Sequence, residues 1–494
     1  MKLTTQNVYD FYSPSPCERR LFYRFIGEKE APPGPFEQVI FMLGHRHEKN
    51  HVNSLGEYFD VSKLLRNQQA QKTKELIQDN APIIYQGLLV ADKIINGSQI
   101  QITGAPDIMI CREDFSYIVR DCKLARHADE KRHPEILAQL QVYGYLYERT
   151  TGEKPAKLEA FLGDSSIVEV PYDDGDSAIR ILKELLHIVS STDVPYSPVG
   201  WSKCQGCGFS EICWDISVKN NDVALVYGVD KNLARVFRDE GILTIEHLLN
   251  NYDEASLSEL KRPWGKSHRK VGNSARGILL QARAMKENKN ILLEKVDLPD
   301  SPSLVMFDLE GFPPYLDELD KIYLWGIQVY GEKPGPFMPA VSPIEPGGDQ
   351  KGWESFLSNC QGVFDEYGDI PFIHWHNYEK TKVKLYIERY GDPDGVAQRV
   401  LDNLVDLLPL TRKAVVLPKP SYSLKVVEQL ADFKRTQDEH GGTWAMAKYI
   451  EAVETEDHDV RKGIIDQILK YNEEDLAATW TVFQWLKKQV SFND

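Results

Sequence analysis

The order of apolar and polar residues predicts β-strands in two distant parts of the chain. Residues 99–111 alternate between the two classes, residues 112–114 turn the chain, and residues 115–123 alternate again, as the strands of a hairpin do. Residues 304–310 form an apolar run that is typical of a buried strand, and residues 371–379 indicate a strand that leads into a helix. Together these patterns predict a mixed α/β fold with more than one domain.

The length of the chain and the changes in its pattern predict three domains. A chain of 494 residues is longer than one ordinary hydrophobic core requires. Helix and strand signals alternate over residues 1–217, a small all-α module covers residues 218–292, and a second α/β domain covers residues 293–494. Residues 299–302 (Pro-Asp-Ser-Pro) are typical of the end of a linker. The helices predicted in the middle module span residues 230–240, 244–250, 254–260 and 273–289.

Composition narrows the classes of protein to which the chain can belong. Hydrophobic residues make up 42% of the chain, yet no apolar run reaches the length of a membrane span, and the first residues lack the apolar stretch of a signal peptide. We therefore expect a soluble, cytoplasmic protein with no membrane partner. The seven cysteines are odd in number, so metal binding or simple burial is a better expectation than a disulfide framework.

One segment of the chain is basic, although the chain as a whole is acidic. The net charge of −16 argues against a uniformly basic surface for nucleic acid. Residues 261–289 contain nine lysines and arginines and a single glutamate, so the segment either contacts phosphate or forms a solvated helix face. Residues 226–249 resemble helix-hairpin-helix modules, which hold backbone phosphate without reading sequence, although a structural spacer has the same rhythm. The candidate nucleic-acid-binding residues are Lys261, Arg262, Lys266, Arg269 and Lys270.

Three charged residues of the predicted N-terminal hairpin are expected to meet at one point. Asp121 and Lys123 are two positions apart on a strand and therefore point to the same face, which Asp107 can approach from the neighbouring strand. Carboxylate oxygens suit Mg²⁺ or Mn²⁺, and such a cation polarises a phosphodiester and activates water. A nearby lysine orients that water or stabilises the developing charge. The pattern therefore predicts phosphodiester hydrolysis.

These residues fit the motifs of a known superfamily. Pro106-Asp107 followed by Asp121-x-Lys123 resembles the PD-(D/E)XK nucleases, and Gly44-x-x-His47 resembles a motif of their RecB branch in which the histidine binds metal. Gln139 and Tyr143 share a helix face at i,i+4 spacing, as in the Gln-x3-Tyr motif of that branch. Each feature alone also suits ordinary packing, but their order is that of the family. The resemblance implies that His47, Asp107 and Asp121 bind metal and that Asp107, Asp121, Lys123, Gln139 and Tyr143 are catalytic.

Four of the cysteines have the spacing of metal ligands. Cys204, Cys207 and Cys213 are close in sequence, and Cys17 lies far upstream. Four thiolates suit a zinc ion as well as a [4Fe–4S] cluster. A single N-terminal cysteine and a C-terminal trio that bracket a RecB-type nuclease resemble the iron–sulfur staple of the CRISPR adaptation exonucleases and of the AddB helicase-nuclease subunit. The resemblance implies a [4Fe–4S] cluster that stabilises the domain by closing a long loop.

A second set of carboxylates is spread over the C-terminal domain. Asp308 and Glu310 end a buried strand two positions apart, Glu379 begins a helix, and Tyr471 and Asp475 share a face of a later helix. This order resembles the DEDD exonucleases of the RNase H-like fold, in the subtype with tyrosine. The resemblance implies that Tyr471 is catalytic and positions the attacking water. It also implies two metal ions bound by Asp308, Glu310, Glu379 and Asp475.

Glu379 is a departure from the DEDD pattern, because well-known members carry an aspartate further from the preceding asparagine. A glutamate has a longer reach, so we expect catalysis to be retained, with binding or packing as the alternative role of the domain.

We predict a nuclease with two sites that acts on nucleic acid, DNA above all, with 3′–5′ exonuclease action at the second. A DNA-repair or defence partner such as a helicase follows by association with the family.

Two other functions stay open. The chain could instead be a nucleic-acid-binding factor in which one or both sites are degenerate and which recruits a helicase or recombinase. It could also be an RNA-processing ribonuclease, because no residue pattern in the chain reads the ribose 2′-hydroxyl.

Overall fold

The computed structural model forms two compact units. The first consists of Met1–Ser197 and Ser202–Glu211, and the second of Pro198–Trp201 and the described residues from Ile212 onward. Residues 218–292 therefore fall within the second unit, and their separation as a third domain stays a prediction. The structure describes residues 1–95, 97–265, 267–312, 320–437 and 441–491.

The first unit is a mixed α/β domain with two sheets. One sheet has the strand order β2-β3-β6-β7-β8-β9 and the other the order β1-β5-β4. Its strands are β1 (Lys2–Thr4), β2 (Phe59–Asp60), β3 (Ile83–Tyr85), β4 (Leu89–Ile95), β5 (Ser98–Gly104), β6 (Ile108–Cys111), β7 (Tyr117–Cys122), β8 (Lys157–Phe161) and β9 (Ile167–Val170). Its helices are α1 (Thr5–Tyr12), α2 (Glu18–Ile26), α3 (Pro35–Ser54), α4 (Arg66–Gln78), α5 (Pro134–Thr151) and α6 (Asp176–Val189). The helix α7 (Ser210–Lys219) spans the division between the units.

The predicted hairpin of residues 99–123 is present only in its second half. The first predicted strand divides into β5 and β6, which belong to different sheets, and β6 pairs with β7 in antiparallel fashion. The interruption covers residues 105–107, where Pro106 has no N–H to donate to a ladder. Asp107 therefore lies at the entrance to β6.

Helix α5 is the buried centre of the first unit. It begins with Pro134, whose fixed φ suits the first turn, and it ends at Gly152, which has a φ of 84°. Most side chains from Ile136 to Tyr147 are buried on every side of the helix, as expected for a core helix. This packing fixes the polar residues of α5 against the sheet.

The second unit contains a five-stranded sheet in the order β15-β14-β13-β16-β17 and two short two-stranded ladders, β10-β11 and β12-β18. Its strands are β10 (Lys261–Trp264), β11 (Ser267–Lys270), β12 (Ile291–Leu292), β13 (Ser303–Gly311), β14 (Ile322–Gly331), β15 (Phe337–Val341), β16 (Phe372–His374), β17 (Leu404–Asp406) and β18 (Val415–Val416). Its helices are α8 (Lys231–Asp239), α9 (Ile245–Asn251), α10 (Glu254–Glu259), α11 (Ser274–Glu287), α12 (Gly348–Tyr367), α13 (Tyr378–Tyr390), α14 (Val396–Asp402), α15 (Leu407–Ala414), α16 (Leu424–Leu430), α17 (Gly442–Glu454) and α18 (His458–Ser491). None of the described helices is both long and apolar enough to cross a membrane.

Strand β13 separates two hydrophobic cores. Its odd-numbered residues, such as Val305 and Phe307, pack with Trp325 and Phe356. Its even-numbered residues Leu304 and Met306 pack into the other core, to which α18 contributes Val482, Phe483 and Leu486. Because side chains alternate along a strand, the next even positions, which are acidic, point to the side of α18.

Four helices of residues 218–292 begin and end within three residues of the predicted positions. The side chains of Asp230, Thr244 and Asp253 cap the N-termini of α8, α9 and α10 by accepting backbone N–H groups. The structure adds the hairpin β10-β11, which the sequence analysis did not predict. Four of the five candidate nucleic-acid-binding residues lie on its strands, and the fifth, Lys266, lies outside the described residues.

Gly326 on β14 allows α18 to approach the sheet. A Cβ atom at this position would lie 1.7 Å from Oδ1 of Asn472. We expect Gly326→Ala to lower the free energy of unfolding by about 1–3 kcal/mol, because Asn472 would have to move out of a packed core. Urea unfolding measures the effect.

Gly277→Ala is the matched control, since Gly277 is exposed on α11 and a Cβ there would meet no atom within 4 Å. This change should raise stability by up to about 1 kcal/mol through helix propensity. Equal effects of the two substitutions would contradict the close approach of Asn472.

Candidate active sites

The first candidate site lies where β6 begins and β7 ends. The Nζ atom of Lys123 is 2.6 Å from Oδ2 of Asp121, which is almost fully buried. Oδ2 of Asp107 accepts a hydrogen bond of 2.7 Å from the backbone N–H of Cys122. The structure thus brings together a carboxylate from the start of β6 with a carboxylate and an ammonium group from the end of β7.

Helix α5 fixes the position of Lys123. The Nζ atom donates to Oε1 of Gln139 at 3.0 Å, and Nε2 of Gln139 donates to the Tyr143 hydroxyl at 3.3 Å. That hydroxyl donates in turn to the carbonyl of Ala105 at 3.1 Å. Gln139 and Tyr143 therefore form a relay of hydrogen bonds between the lysine and the chain just before Asp107.

A third carboxylate, Glu48 on α3, belongs to this group. Nε2 of Gln86 donates both to Oε1 of Glu48 at 2.6 Å and to Oδ1 of Asp107 at 2.9 Å. His47 takes another direction, because its ring stacks on Phe161 with the centroids 4.8 Å apart. The role of His47 as a metal ligand stays a prediction.

Sequence reasoning missed Glu48 and Gln86. Consecutive residues of a helix diverge by a large angle, and the motif alone does not tell whether His47 or Glu48 faces the sheet. Glu48 lies one turn after Gly44, and both line the same cavity of about 560 Å³. The spacing of four residues between Gly44 and Glu48 was the sequence signal that could have identified Glu48 as a residue of the site.

Electrostatics makes Lys123 a permanent cation in this site. Burial raises the pKa of Asp107 well above its ordinary value, and the neighbouring Asp121 and Glu48 raise it further. Burial alone would lower the pKa of Lys123, but Asp121 and Asp107 outweigh it and the pKa is raised. Lys123 therefore suits stabilisation of negative charge and not the role of a general base.

The second candidate site joins β13 to α18. Carboxylate oxygens of Asp308, Glu310 and Asp475 all lie within 4.8 Å of one another. No other group of three or more potential metal ligands in the described part of the chain is this compact. The site arises because two even positions of β13 face α18.

Polar neighbours hold these carboxylates in place. Nδ2 of Asn472 donates to Oδ2 of Asp308 at 2.6 Å. Arg435 forms two hydrogen bonds with Glu428, of 2.7 and 2.8 Å, and its Nη2 atom also donates to Asp475. Sequence reasoning missed Asn472, Glu428 and Arg435, because no motif links them to the acidic positions.

Tyr471 and Glu379 lie beside the three carboxylates. Tyr471 hydrogen-bonds to Asp475, and burial together with that carboxylate raises its pKa well above the ordinary value. Glu379 is buried, and its Oε2 atom is 3.0 Å from Nδ1 of His374. Glu379 raises the pKa of Asp308, so the two are electrostatic neighbours, although Glu379 is outside the compact group.

Burial raises the pKa of each acid in the compact group, and repulsion raises it further for two of them. Burial is the largest cause for Asp308, Glu310 and Asp475, and Asp475 then raises the pKa of the other two. Burial lowers the pKa of Lys425, whose Nζ atom lies 5.4 Å from the centre of the Tyr471 ring. Carboxylates arranged in this way favour protonation or a bound cation.

Family models match two separate parts of the chain. A model of the PD-(D/E)XK nuclease superfamily matches residues 42–214, which contain the first site. A model of the RNase H superfamily matches residues 305–487, which contain the second. The chain carries a PD-(D/E)XK nuclease domain and an RNase H-like domain. The mixed α/β, multidomain fold predicted from the sequence is therefore confirmed.

Two solved structures are similar to parts of this chain. The crystal structure of SSO0001 has 18% identity and a TM-score of 0.20, and the match covers 36% of this chain and 96% of that one. A candidate exonuclease from Eubacterium rectale has 14% identity and a TM-score of 0.25, and the match covers 40% of this chain and 91% of that one. Neither adds to the assignment of the two domains. No curated protein matches the chain.

Three of the four ligand-spaced cysteines lie in the same unit as the PD-(D/E)XK site. Cys17 is the N-cap of α2, and its Sγ atom accepts the N–H of Arg20 at 3.4 Å. Cys204 and Cys207 are joined by a turn with a hydrogen bond of 3.1 Å. Burial raises the pKa of Cys207, and Cys17 contributes to that rise, so the two thiols are close. Cys213 lies on α7, in the part assigned to the second unit.

The carboxylates of the RNase H-like domain should make stability depend on pH. Their ordinary pKa values are 3.8 for aspartate and 4.5 for glutamate, and the folded protein raises them. Their contribution is complete below the ordinary values and is lost as the pH rises through the raised ones. We expect the metal-free protein to become less stable as the pH rises above the ordinary carboxylate pKa values and through the raised ones, and Mn²⁺ to restore stability at the higher pH.

Thermal unfolding of Asp308→Asn tests this expectation, because removing one of the repelling charges should flatten the pH dependence and weaken the stabilisation by Mn²⁺. Asp394→Asn, at an exposed loop position, is the control and should behave as the wild type does. An unchanged pH profile in Asp308→Asn would contradict the proposed repulsion.

Proposed function

We propose that the protein is a metal-dependent nuclease that hydrolyses nucleic-acid phosphodiesters at two sites. The observation that carries the proposal is the compact set of Asp308, Glu310 and Asp475 in the RNase H-like domain. Glu310 and Asp475 are buried and Asp308 is half-buried. Three carboxylates so close together repel one another unless a cation or protons balance them, and their oxygens suit Mg²⁺ or Mn²⁺. The set therefore fits the divalent metal that nuclease chemistry uses.

In the RNase H-like domain, Asp308, Glu310 and Asp475 would hold the metal, with Glu379 as a further ligand after release from His374. A bound divalent cation supplies Lewis acidity and an activated water. Tyr471 keeps its proton because its pKa is raised, so its hydroxyl can hold and orient that water. Lys425 is the cation nearest to Tyr471 that lacks a described carboxylate partner at salt-bridge distance, and it suits contact with the phosphate.

In the PD-(D/E)XK domain, Asp107, Asp121 and Glu48 are the oxygen donors for a metal ion. Lys123 stabilises the charge that develops on the phosphate, since its raised pKa keeps it protonated. Gln139 and Tyr143 hold the ammonium group at the mouth of the cavity. His47 would join as a ligand only after leaving Phe161.

The finer assignments extend this proposal. The RecB branch, the DEDD subtype with tyrosine and 3′–5′ exonuclease action rest on the order of the sequence motifs. DNA, including single strands, is the proposed substrate, and a helicase or a repair or defence factor is the proposed partner. The cytoplasm is the proposed location.

We also propose that Cys17, Cys204, Cys207 and Cys213 bind a [4Fe–4S] cluster. Four thiolates suit zinc as well as the cluster. The position of one cysteine before the nuclease domain and three at its end supports the cluster over zinc. Gly206, with a φ of 72°, permits the turn between Cys204 and Cys207. Cys213 enters the proposal from its spacing in the sequence.

The alternative of a binding factor with a degenerate second site has one observation in its favour. Arg435 already pairs with Asp475 and Glu428, and so it partly neutralises a proposed metal ligand. An arginine that stays in place would weaken metal binding there while leaving a surface for nucleic acid. Metal-dependent cleavage separates the two functions, because a binding factor retains its substrate without forming products.

Substitution at each site should remove one activity. We expect Lys123→Ala and Asp308→Ala each to lower the rate of Mn²⁺-dependent cleavage at its own site by about 100-fold or more, because each removes charge stabilisation or a metal ligand. The assay follows labelled single-stranded DNA, duplex DNA and RNA, with wild type, both single variants and the double variant.

Lys74→Ala and Asp394→Ala, at exposed positions away from both sites, control for the loss of a charge. Full activity of the double variant would overturn the proposed function. Activity that survives in one single variant and is absent in the other assigns the substrate to one domain.

Cys17→Ser tests the iron–sulfur cluster without removing the helix cap, because serine is a favourable N-cap residue. We expect the wild-type protein to contain iron and sulfide and to absorb at about 400 nm, and Cys17→Ser to lose both. Cys111→Ser is the control, since Cys111 is outside the proposed ligand set and is equally half-buried. Stoichiometric zinc in the wild type would contradict the cluster.

A further inference from the structure

The hairpin β10-β11 presents a tryptophan to solvent. Trp264 ends β10 opposite Ser267, and 48% of its surface is exposed. The remaining described residues of both strands are also exposed, except Arg262, which is half-buried. Trp264 belongs to none of the described hydrophobic cores, so burial in an apolar core does not account for the position of this large ring.

Two guanidinium groups lie beside Trp264 on the same face of the hairpin. Arg262 is two positions before Trp264, and Arg269 is the partner of Arg262 across the ladder. Their guanidinium carbons are 5.3 Å and 5.2 Å from the centre of the indole ring. The aromatic surface and the positive charge are thus one continuous feature.

The two arginines have different surroundings. Arg262 binds Asp230 at 2.9 Å, and Nδ2 of Asn232 donates to the carbonyl of Pro263 at 3.0 Å, so the hairpin is anchored to the N-terminus of α8. No carboxylate of the described residues pairs with Arg269, which is exposed. Arg262 therefore holds the hairpin in place, whereas Arg269 is available to a ligand.

The charge around the hairpin suits an anionic partner. Residues 261–286 contain no aspartate or glutamate, although the chain as a whole has a net charge of −16. Lys270 pairs with Glu259, just before this segment, which leaves Lys261 and Arg269 as exposed cations on opposite faces of the hairpin. An exposed aromatic ring next to an available cation is a combination by which proteins bind unpaired nucleic-acid strands.

We propose that the hairpin β10-β11 binds single-stranded nucleic acid, with Trp264 stacked on an unpaired base and Arg269 in contact with the adjacent phosphate. The bases of a duplex already stack on one another and offer no free face along the helix. The hairpin therefore selects single strands or frayed ends. This inference rests on the proposed function and deepens it, since it specifies single strands and frayed ends as the nucleic acid that the nuclease binds.

Binding without cleavage tests the proposal. Anisotropy of labelled oligothymidylate, oligouridylate and a blunt DNA duplex is measured in EDTA with the full chain, so that neither metal site is active. We expect Trp264→Ala to weaken binding of single strands about five-fold or more, because base stacking is lost. Trp264→Phe should retain most of the affinity, and binding of the duplex should change less than about two-fold.

Trp201→Ala is the matched control, because Trp201 is 49% exposed but lies outside the basic hairpin. It should bind as the wild type does. Arg269→Gln should reduce the slope of log K against log salt by about 0.7 for single strands, as expected for the loss of one phosphate contact. Thermal unfolding confirms that the substitutions leave the fold intact.

Equal binding by wild type and Trp264→Ala would overturn the stacking proposal alone. So would an equal loss on single strands and duplex, because it would leave only a general electrostatic effect. Wild-type protein that binds neither single-stranded probe would overturn the hairpin proposal, whatever the cleavage assay shows. Normal binding combined with absent cleavage would sink the catalytic proposal and keep the role of Trp264.

Discussion

The repulsion among three closely packed carboxylates is the constraint on which the second unit depends. Asp308 and Glu310 come from one strand and Asp475 from a helix, and all three are held within 4.8 Å. Isolated charges of one sign are costly in a protein interior. The packing of α18 on the even-numbered face of β13 must therefore supply enough free energy to hold them together. The close approach at Gly326 is part of that packing.

Different cationic side chains balance the clustered carboxylates of the two sites. In the PD-(D/E)XK domain, Lys123 is part of the site and balances Asp121 directly. In the RNase H-like domain, Arg435 balances Asp475 from the side, and Glu428 shares its charge. Each site thus keeps an excess of negative charge before any metal binds, which a divalent cation can balance.

Much of the fold could be predicted from the sequence, because it follows from short periodic patterns. The strand that carries Asp308, the β6-β7 pair and the four helices between residues 230 and 287 are all visible as periodicity and caps. The sheet change at Pro106 and the basic hairpin were not predicted. A single proline does not tell in which sheet the next strand pairs. The strands Lys261–Trp264 and Ser267–Lys270 carry two charged residues each and lack the usual apolar alternation. Glu48, Gln86, Asn472 and Arg435 depend on tertiary contacts that no local pattern encodes.

Because α18 is the last helix of the chain that the structure describes, the acids of the RNase H-like site are synthesised at different times. Asp308 and Glu310 are synthesised more than 160 residues before Asn472, which hydrogen-bonds to Asp308, and before Asp475. A growing chain on the ribosome therefore carries the first two acids without the third or its tyrosine neighbour. The compact set of three carboxylates can form only after α18 has been synthesised and has packed on β13, so the local charge repulsion is met late in folding.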